Sequence, residues 1–432
     1  MTSLRSRALA VLAILVAGSA ASEADVVLDW NEIAVSVLPA SETRIVAIAQ
    51  LAAFEAVNAV TREYQPYLGT IDAPPGTSPE AAAVAAAHAV LRHYVPDRAT
   101  DLDAARERSL ATILDGPAKK AGIAVGESAA DAMIALRAAD GSAPPEFYQP
   151  SSSDPGDWQL TPGCTGGVLF NLRNVTPFGI RRGSQFRLDP PPRLNSWQYA
   201  VAYYEVKRVG AMHSVARPQD RADVARFYAT VLSTGTWNPI ARQLAQARSG
   251  SLTQNARTLA LLNMAMYDAL IGIFDTKYHA PFWRPETAIR AGDTDGNRAT
   301  RGDPGFTPFI PTPCHPSYPS AHAGASNAAR TVLERIYGRA GHLIELSSPA
   351  VPGVSLQYTR LDQVTSDIDD ARIYGGIHFR FDQEAGTRLG RKVGAYVYRH
   401  HLCSREDAHR SKRDRHCHQR SSGCSTTCDW QR

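Results

Sequence analysis

The chain has 432 residues, 44% of them apolar, and a formal net charge of +4 at pH 7. That apolar content is enough to bury a large core, while the weak, scattered basic excess excludes a dedicated nucleic-acid-binding protein. The length alone would allow two or three domains, but no Gly/Ser- or Pro-rich linker divides the chain cleanly.

The N-terminus reads as a secretory signal. Arg5 and Arg7 precede an apolar run from Ala8 to Ala17, too short to span a membrane comfortably. Ser22-Glu23-Ala24 makes a cleavage site, with Ala20 and Ala21 as alternatives. Residues 1–24 are expected to be removed and residues 25–402 to form the folded body, secreted or periplasmic, with no membrane span. Further along, apolar residues recur at three- and four-residue spacing over residues 45–60 and 259–274, which predicts two amphipathic helices. Residues 81–91 and 323–336 are Ala-rich and also favour helix. Strand-like alternation is scarce. Residues 141–195 and 291–317 are rich in loop-forming residues and read as long loops, which are often functional in a helical protein.

The chain also repeats itself. Residues 44–60 align without a gap on residues 257–273, so that Phe54-Glu55 meets Tyr267-Asp268 and Gln50 meets Asn263. A second stretch aligns Ser78, Val90 and Leu91 with Ser320, Val332 and Leu333, and a third aligns Gly122 and Gly126 with Gly386 and Gly390. The order is common to both copies and the offset grows steadily, as lengthening loops would make it. The expected fold is all-α: two related helical bundles packed together, about 40–140 and about 196–400, with long loops around the site. Tyr64 falls opposite Lys277 and Glu80 opposite His322, so the chemistry belongs to the second bundle only.

Cys164 and Cys314 lie in the body, and Cys403, Cys417, Cys424 and Cys428 crowd the tail with His409, His416 and His418. An exported chain permits disulfides. Residues 403–432 could form a small disulfide knot, a metal-binding appendage, a solvated basic tail, or an end unrelated to the rest. Asp293, Asp295 and Asn297 around Gly296 faintly resemble a calcium loop but lack its closing Glu, and read as a polar turn.

Three blocks carry the chemistry. Lys277 is followed by Arg284-Pro285 in an aromatic segment; Pro319-Ser320-Ala321-His322 opens a helix; Arg372 is followed by His378 and Asp382. Together they supply three cations, a hydroxyl, two imidazoles and a carboxylate. Arg and Lys offer charge-assisted hydrogen bonds to an oxyanion. A helix start adds backbone N–H donors and the positive end of the helix dipole. His378 and Asp382, four apart, are expected on one helix face, where the carboxylate takes the proton of one ring nitrogen and frees the other for the central atom. His322 is the candidate proton carrier.

The order and spacing of these blocks resemble the superfamily of vanadium-dependent haloperoxidases and type 2 phosphatidic acid phosphatases. Two positions depart from its pattern: Ala321 stands where Gly is usual, and Ala371 where Ser is usual. The resemblance implies that Lys277, Arg284, Ser320, Ala321 and Arg372 bind vanadate in competition with phosphate, that His378 bonds to vanadium, and that His322 and Asp382 complete the catalytic set. It implies either halide oxidation by hydrogen peroxide or hydrolysis of a phosphate ester through a phosphohistidine. A non-catalytic oxyanion-binding protein is a third possibility, which retention of both histidines opposes. Phe282-Trp283-Arg284-Pro285 and Phe306-Thr307-Pro308-Phe309 resemble the secreted bacterial haloperoxidase-like group and favour halide oxidation. His315 lies seven residues before His322, where His accompanies bromide oxidation and Phe chloride oxidation in that family. An imidazole there would change the protonation of the oxyanion and the polarity of the halide pocket.

Overall fold

The structure is a computed structural model, and it describes residues 25–39 and 42–405. Residues 1–24, expected to be a signal segment, and residues 406–432, most of the Cys- and His-rich tail, lie outside the described residues. The first half contains α1 (Val26–Val37), α2 (Thr43–Thr61), α3 (Pro79–Tyr94), α4 (Ala99–Ala111) and α5 (Pro117–Arg137). The second contains α6 (Trp197–Val209), α7 (Gln219–Thr230), α8 (Ser233–Arg248), α9 (Leu252–His279), α10 (Pro285–Arg290) and α11 (Ala321–Tyr337). It then adds β1 (Ala340–Ser347) and β2 (Ser355–Arg360), and closes with α12 (Leu361–Tyr374) and α13 (Arg380–His400). The fold is mostly helical, as the periodicity predicts. β1 and β2 form one antiparallel pair in which Ile344 faces Tyr358.

The two long apolar helices, α2 and α9, pack against each other at the centre. By length and composition both could cross a membrane, a property the sequence reading did not assign them; in the structure 78% and 94% of their apolar windows are buried. Apolar residues cover more of α9 than one face, as expected of a helix enclosed on all sides. Its start is fixed by a capping box in which Ser251 and Gln254 satisfy each other's backbone N–H.

The repeat is visible in the contacts. Glu55 on α2 accepts hydrogen bonds from the backbone N–H of Tyr67 (2.7 Å) and Leu68 (3.0 Å). Asp268, its partner on α9, accepts them from Phe178, Gly179 and Ile180 at 2.6–2.8 Å. Each buried carboxylate thus ties a loop to its helix. Ser78 caps α3 by accepting from the Ala81 N–H, and Ser320 caps α11 by accepting from Ala323. The Ser78 N–H donates to the Ala118 carbonyl at 3.1 Å, and the Ser320 N–H to the Asp382 carbonyl at 3.0 Å. The glycines repeat this match. A Cβ on Gly122 would come within 2.4 Å of the Ser78 carbonyl, and one on Gly386 within 2.5 Å of the Ser320 carbonyl. One on Gly126 would come within 2.3 Å of the Ala82 carbonyl, and one on Gly390 within 2.1 Å of Gly324's. α3 with α5 and α11 with α13 are therefore the same close-packed helix pair used twice.

The loops cover one end of the second bundle. A disulfide joins Cys164 to Cys314, and the Val168 N–H donates to the Cys314 carbonyl at 2.8 Å. The first long loop is thereby tied to the second beside His315. Asp293 and Asp295 accept from the N–H groups of Gly302 and Asn297, so the calcium-like segment is a hydrogen-bonded turn.

Candidate active site

Lys277 lies in the last turn of α9 and is fully buried. Its ammonium donates to the carbonyls of Pro316 and Ser317, the latter at 2.9 Å, which leaves one of its three donors. Arg284 precedes α10 and is also fully buried. Its Nε donates to the His315 carbonyl (2.7 Å) and its Nη2 to His315 Nδ1 (3.0 Å). Its Nη1 meets the Ile377 carbonyl (2.9 Å) and His378 Nε2 (3.1 Å). A guanidinium can only donate, so the His378 Nε2 that it touches is an acceptor.

That assigns the tautomer of His378. Its Nε2 carries a lone pair, and its Nδ1–H donates to Asp382 Oδ2 at 2.8 Å. The helix-face expectation for this pair needs correction. His378 lies before α13, Phe379 is the N-cap, and Asp382 is in the first turn. The carboxylate reaches back to the helix start, accepts the Phe379 N–H at 3.0 Å, and takes the imidazole with the same oxygen. A helix start with its free N–H groups favours a carboxylate there. The same oxygen accepts from the Ser317 hydroxyl at 2.5 Å. Ser317 also lies 3.4 Å from His378 Nδ1. Sequence reasoning missed Ser317, although it sits inside the segment joining His315 to His322; a small polar residue among prolines carried no distinguishing signal.

The second block sits at the start of α11. The Ser320 hydroxyl accepts the Ala323 N–H, and its own hydrogen remains available to donate. Ala321 begins the helix and is absent from the positive-φ residues, so Ala in place of Gly imposes no backbone strain. His322 is the next residue, and its Nε2 is buried without a partner. Arg372, in the last turn of α12, donates from Nη1 to the Tyr228 carbonyl at 2.9 Å, and its Nε has no partner. Ala371 is buried in the apolar core and contributes only packing. His315, Ala321, His322 and Arg372 line one cavity of about 420 Å³.

Electrostatics show what this arrangement lacks. Burial lowers Lys277 well below its ordinary range, and the nearby Arg284 lowers it further. Burial likewise depresses Arg284 to about 9 and Arg372 to about 10. Burial first, then the neighbouring cations, holds His315, His322 and His378 well below the usual imidazole range, so all three are neutral at physiological pH. Burial raises Asp382 to about 6, against the pull of the Ser317 hydroxyl and Lys277. Three buried cations therefore face one carboxylate. Such a site is relieved by an anion. Beside these cations the Arg372 Nε is free to donate, the His322 Nε2 has no partner, and His378 Nε2 carries a lone pair.

The fold is thus mostly helical, with one close-packed helix pair used twice, and the candidate residues gather around the second copy. Residues 257–406 match the family model of the VCPO second helical-bundle domain. The vanadium chloroperoxidase of Curvularia inaequalis is 27% identical over 180 residues, a match that covers 31% of this chain and 29% of that protein's length. The crystal structure of a bacterial vanadium-dependent iodoperoxidase superposes with a TM-score of 0.74 at 25% identity, covering 88% of this chain and 96% of that one. An apo-type bacterial vanadium-dependent chloroperoxidase superposes with a TM-score of 0.68 at 19% identity, covering 83% and 92%, which shows a shared fold. Residues 257–406 thus resemble the second helical bundle of that family model, and the chain shares the fold of the bacterial vanadium-dependent haloperoxidases.

Proposed function

We propose that the protein is a vanadate-dependent haloperoxidase that oxidises halide with hydrogen peroxide to hypohalous acid, bromide in preference to chloride. The observation that carries the reading is the His378 Nε2 lone pair, held by Asp382 and surrounded by buried cations with too few anions. Vanadate fits these residues: His378 would bond to vanadium, and Lys277, Arg284, Ser320, Ala321 and Arg372 would hold the oxygens. When bound, vanadate supplies the Lewis acidity that activates peroxide towards halide. Asp382 fixes the ring and keeps the proton on Nδ1. His322, neutral and facing the cavity, can accept a proton from peroxide and return it to the leaving water. His315, held by Arg284, offers a polar ring in the lining of the cavity. That ring supports its role in halide selection. Residues 1–24 would direct export, placing the enzyme outside the cell or in the periplasm.

The test is to load the purified protein with vanadate and follow bromination of a dye with peroxide, beside hydrolysis of a phosphate ester. Bromination that disappears on stripping vanadate, is inhibited by phosphate, and is lost with vanadate binding in His378→Ala is expected. Ester hydrolysis without bromination would turn the reading to a phosphatase.

A further inference from the structure

We propose that Tyr358 on β2 and Asp367 on α12 are positioning residues for the oxyanion site: acting through Tyr228, they set where Arg372 and His322 present their free nitrogens. This rests on the oxyanion-binding part of the reading above.

One main-chain carbonyl holds both site groups. Tyr228 lies in the last turn of α7, and the final backbone bond of that helix runs from the Val231 N–H to the Phe227 carbonyl. The Tyr228 carbonyl is left over at the negative end of the helix dipole, where a cation is favoured. It accepts Arg372 Nη1 at 2.9 Å, the one side-chain hydrogen bond that Arg372 makes among the described residues. It also accepts from the ring of His322. Because His322 Nε2 has no partner, Nδ1 is the donor. Ala229, Leu232 and Ser233, just beyond, line the cavity. The place where α7 ends therefore sets the place of two side chains of the site.

A chain of buried hydroxyls fixes that end. Tyr228 is fully buried, and its hydroxyl meets that of Tyr358 at 3.0 Å. Tyr358 donates to Asp367 Oδ2 at 2.9 Å. A phenol has one hydrogen, so Tyr228 is the donor between the two rings. Burial raises both phenols above their ordinary range, so both keep that hydrogen. Asp367 Oδ1 accepts Arg221 Nη1 at 2.8 Å, from the first turn of α7. One carboxylate thus holds α7 near both ends, and it stands five residues before Arg372 on the same helix. No residue of the β1–β2 hairpin lines the cavity, so Tyr358 acts on the site only through this chain.

The test is calorimetric titration of inorganic vanadate, and of phosphate beside it, into the stripped protein. Tyr358→Phe and Tyr228→Phe remove the two ends of the hydroxyl contact and keep both rings. Each should weaken both anions by about 10-fold, the low end of what a lost support behind a ligating group costs, with near-UV circular dichroism unchanged. The double variant should bind no more weakly than Tyr358→Phe alone, because both residues act through one bond. The vanadium NMR resonance of bound vanadate should move in each single variant and no further in the double. Residues that only stabilise the fold would lower the urea midpoint and leave affinity and resonance alone. That result in either folded variant overturns the proposal, as do losses that add in the double variant. A wild type that binds neither anion overturns the oxyanion reading and the positioning role with it, whereas wild-type binding that the variants do not change overturns the positioning role alone.

Discussion

Ser317→Ala tests the arrangement around His378 most directly. The hydroxyl donates to Asp382 Oδ2 at 2.5 Å, and the other carboxylate oxygen has no partner. Removing it leaves the carboxylate only the imidazole and the Phe379 N–H. A hydrogen bond to a charged group contributes about 1.5–3 kcal/mol. At about 1.36 kcal/mol per pKa unit, its loss raises the carboxyl by roughly one to two units. Asp382 starts at about 6, so it would titrate near neutral pH in the variant. The ionised carboxylate is the form that holds the His378 Nδ1–H, so protonation loosens the ring. Vanadate affinity should therefore fall by about 10- to 100-fold below the shifted pKa, and recover as pH rises through it. Isothermal titration of vanadate into stripped wild type and variant at several pH values measures the ratio, with near-UV circular dichroism as the check on folding. Equal affinities at every pH in a folded variant would refute the argument.

Three further expectations follow from other contacts. Lys277 is depressed by burial and by Arg284, and only its ammonium form attracts an oxyanion, so vanadate affinity should fall as pH rises through that lowered pKa, well before its ordinary 10.5; titrations in buffers of different ionisation enthalpy should show proton uptake on binding. His315→Phe removes the ring that Arg284 holds at the cavity floor and should raise chloride oxidation relative to bromide, read from the ratio of kcat/KM values. Gly390→Ala and Gly126→Ala each force a Cβ to within 2.1 and 2.3 Å of a facing carbonyl, so each should lose about 1–3 kcal/mol or more, visible as a lower urea midpoint.

The sequence shows its helices through apolar spacing, and shows the repeat because close-packed helices constrain small residues. Gly122, Gly126, Gly386 and Gly390 are legible for that reason: each faces a carbonyl that tolerates no side chain. The candidate site residues were legible as three blocks in order, and the structure buries Lys277, Arg284, Arg372 and His378. What remained hidden depends on loop geometry. Ser317 acts through a bond across 65 residues. The Tyr228 carbonyl, which holds Arg372, is a backbone atom with no sequence signature at all. The placement of Asp382 was misread because four-residue spacing suggests one helix face, whereas here the helix begins between the two residues.

The first bundle shows why the frame and the chemistry can separate. The bonds made at the start of α3 match those at the start of α11, down to the N–H of Ser78 meeting the Ala118 carbonyl where that of Ser320 meets Asp382's. Those bonds use backbone atoms and a capping hydroxyl, so they survive any side chain at the matched positions. The side chains themselves are of the wrong kind. Glu80 replaces His322 and takes a hydrogen bond from the Ser78 hydroxyl at 2.8 Å, while Ala118 offers no carboxylate to orient an imidazole. The neighbouring cavity is lined by Asp25 and Asp29 with Glu80, a negative surface that repels an oxyanion. Arg284 and His378 come from segments outside the helix pair, so copying the pair does not copy them. Glu80→His should accordingly leave the vanadate stoichiometry at one per chain, measured by titration. A second equivalent bound in that variant would mean that the helix start alone makes the site, and that the surrounding cations matter less than their burial indicates.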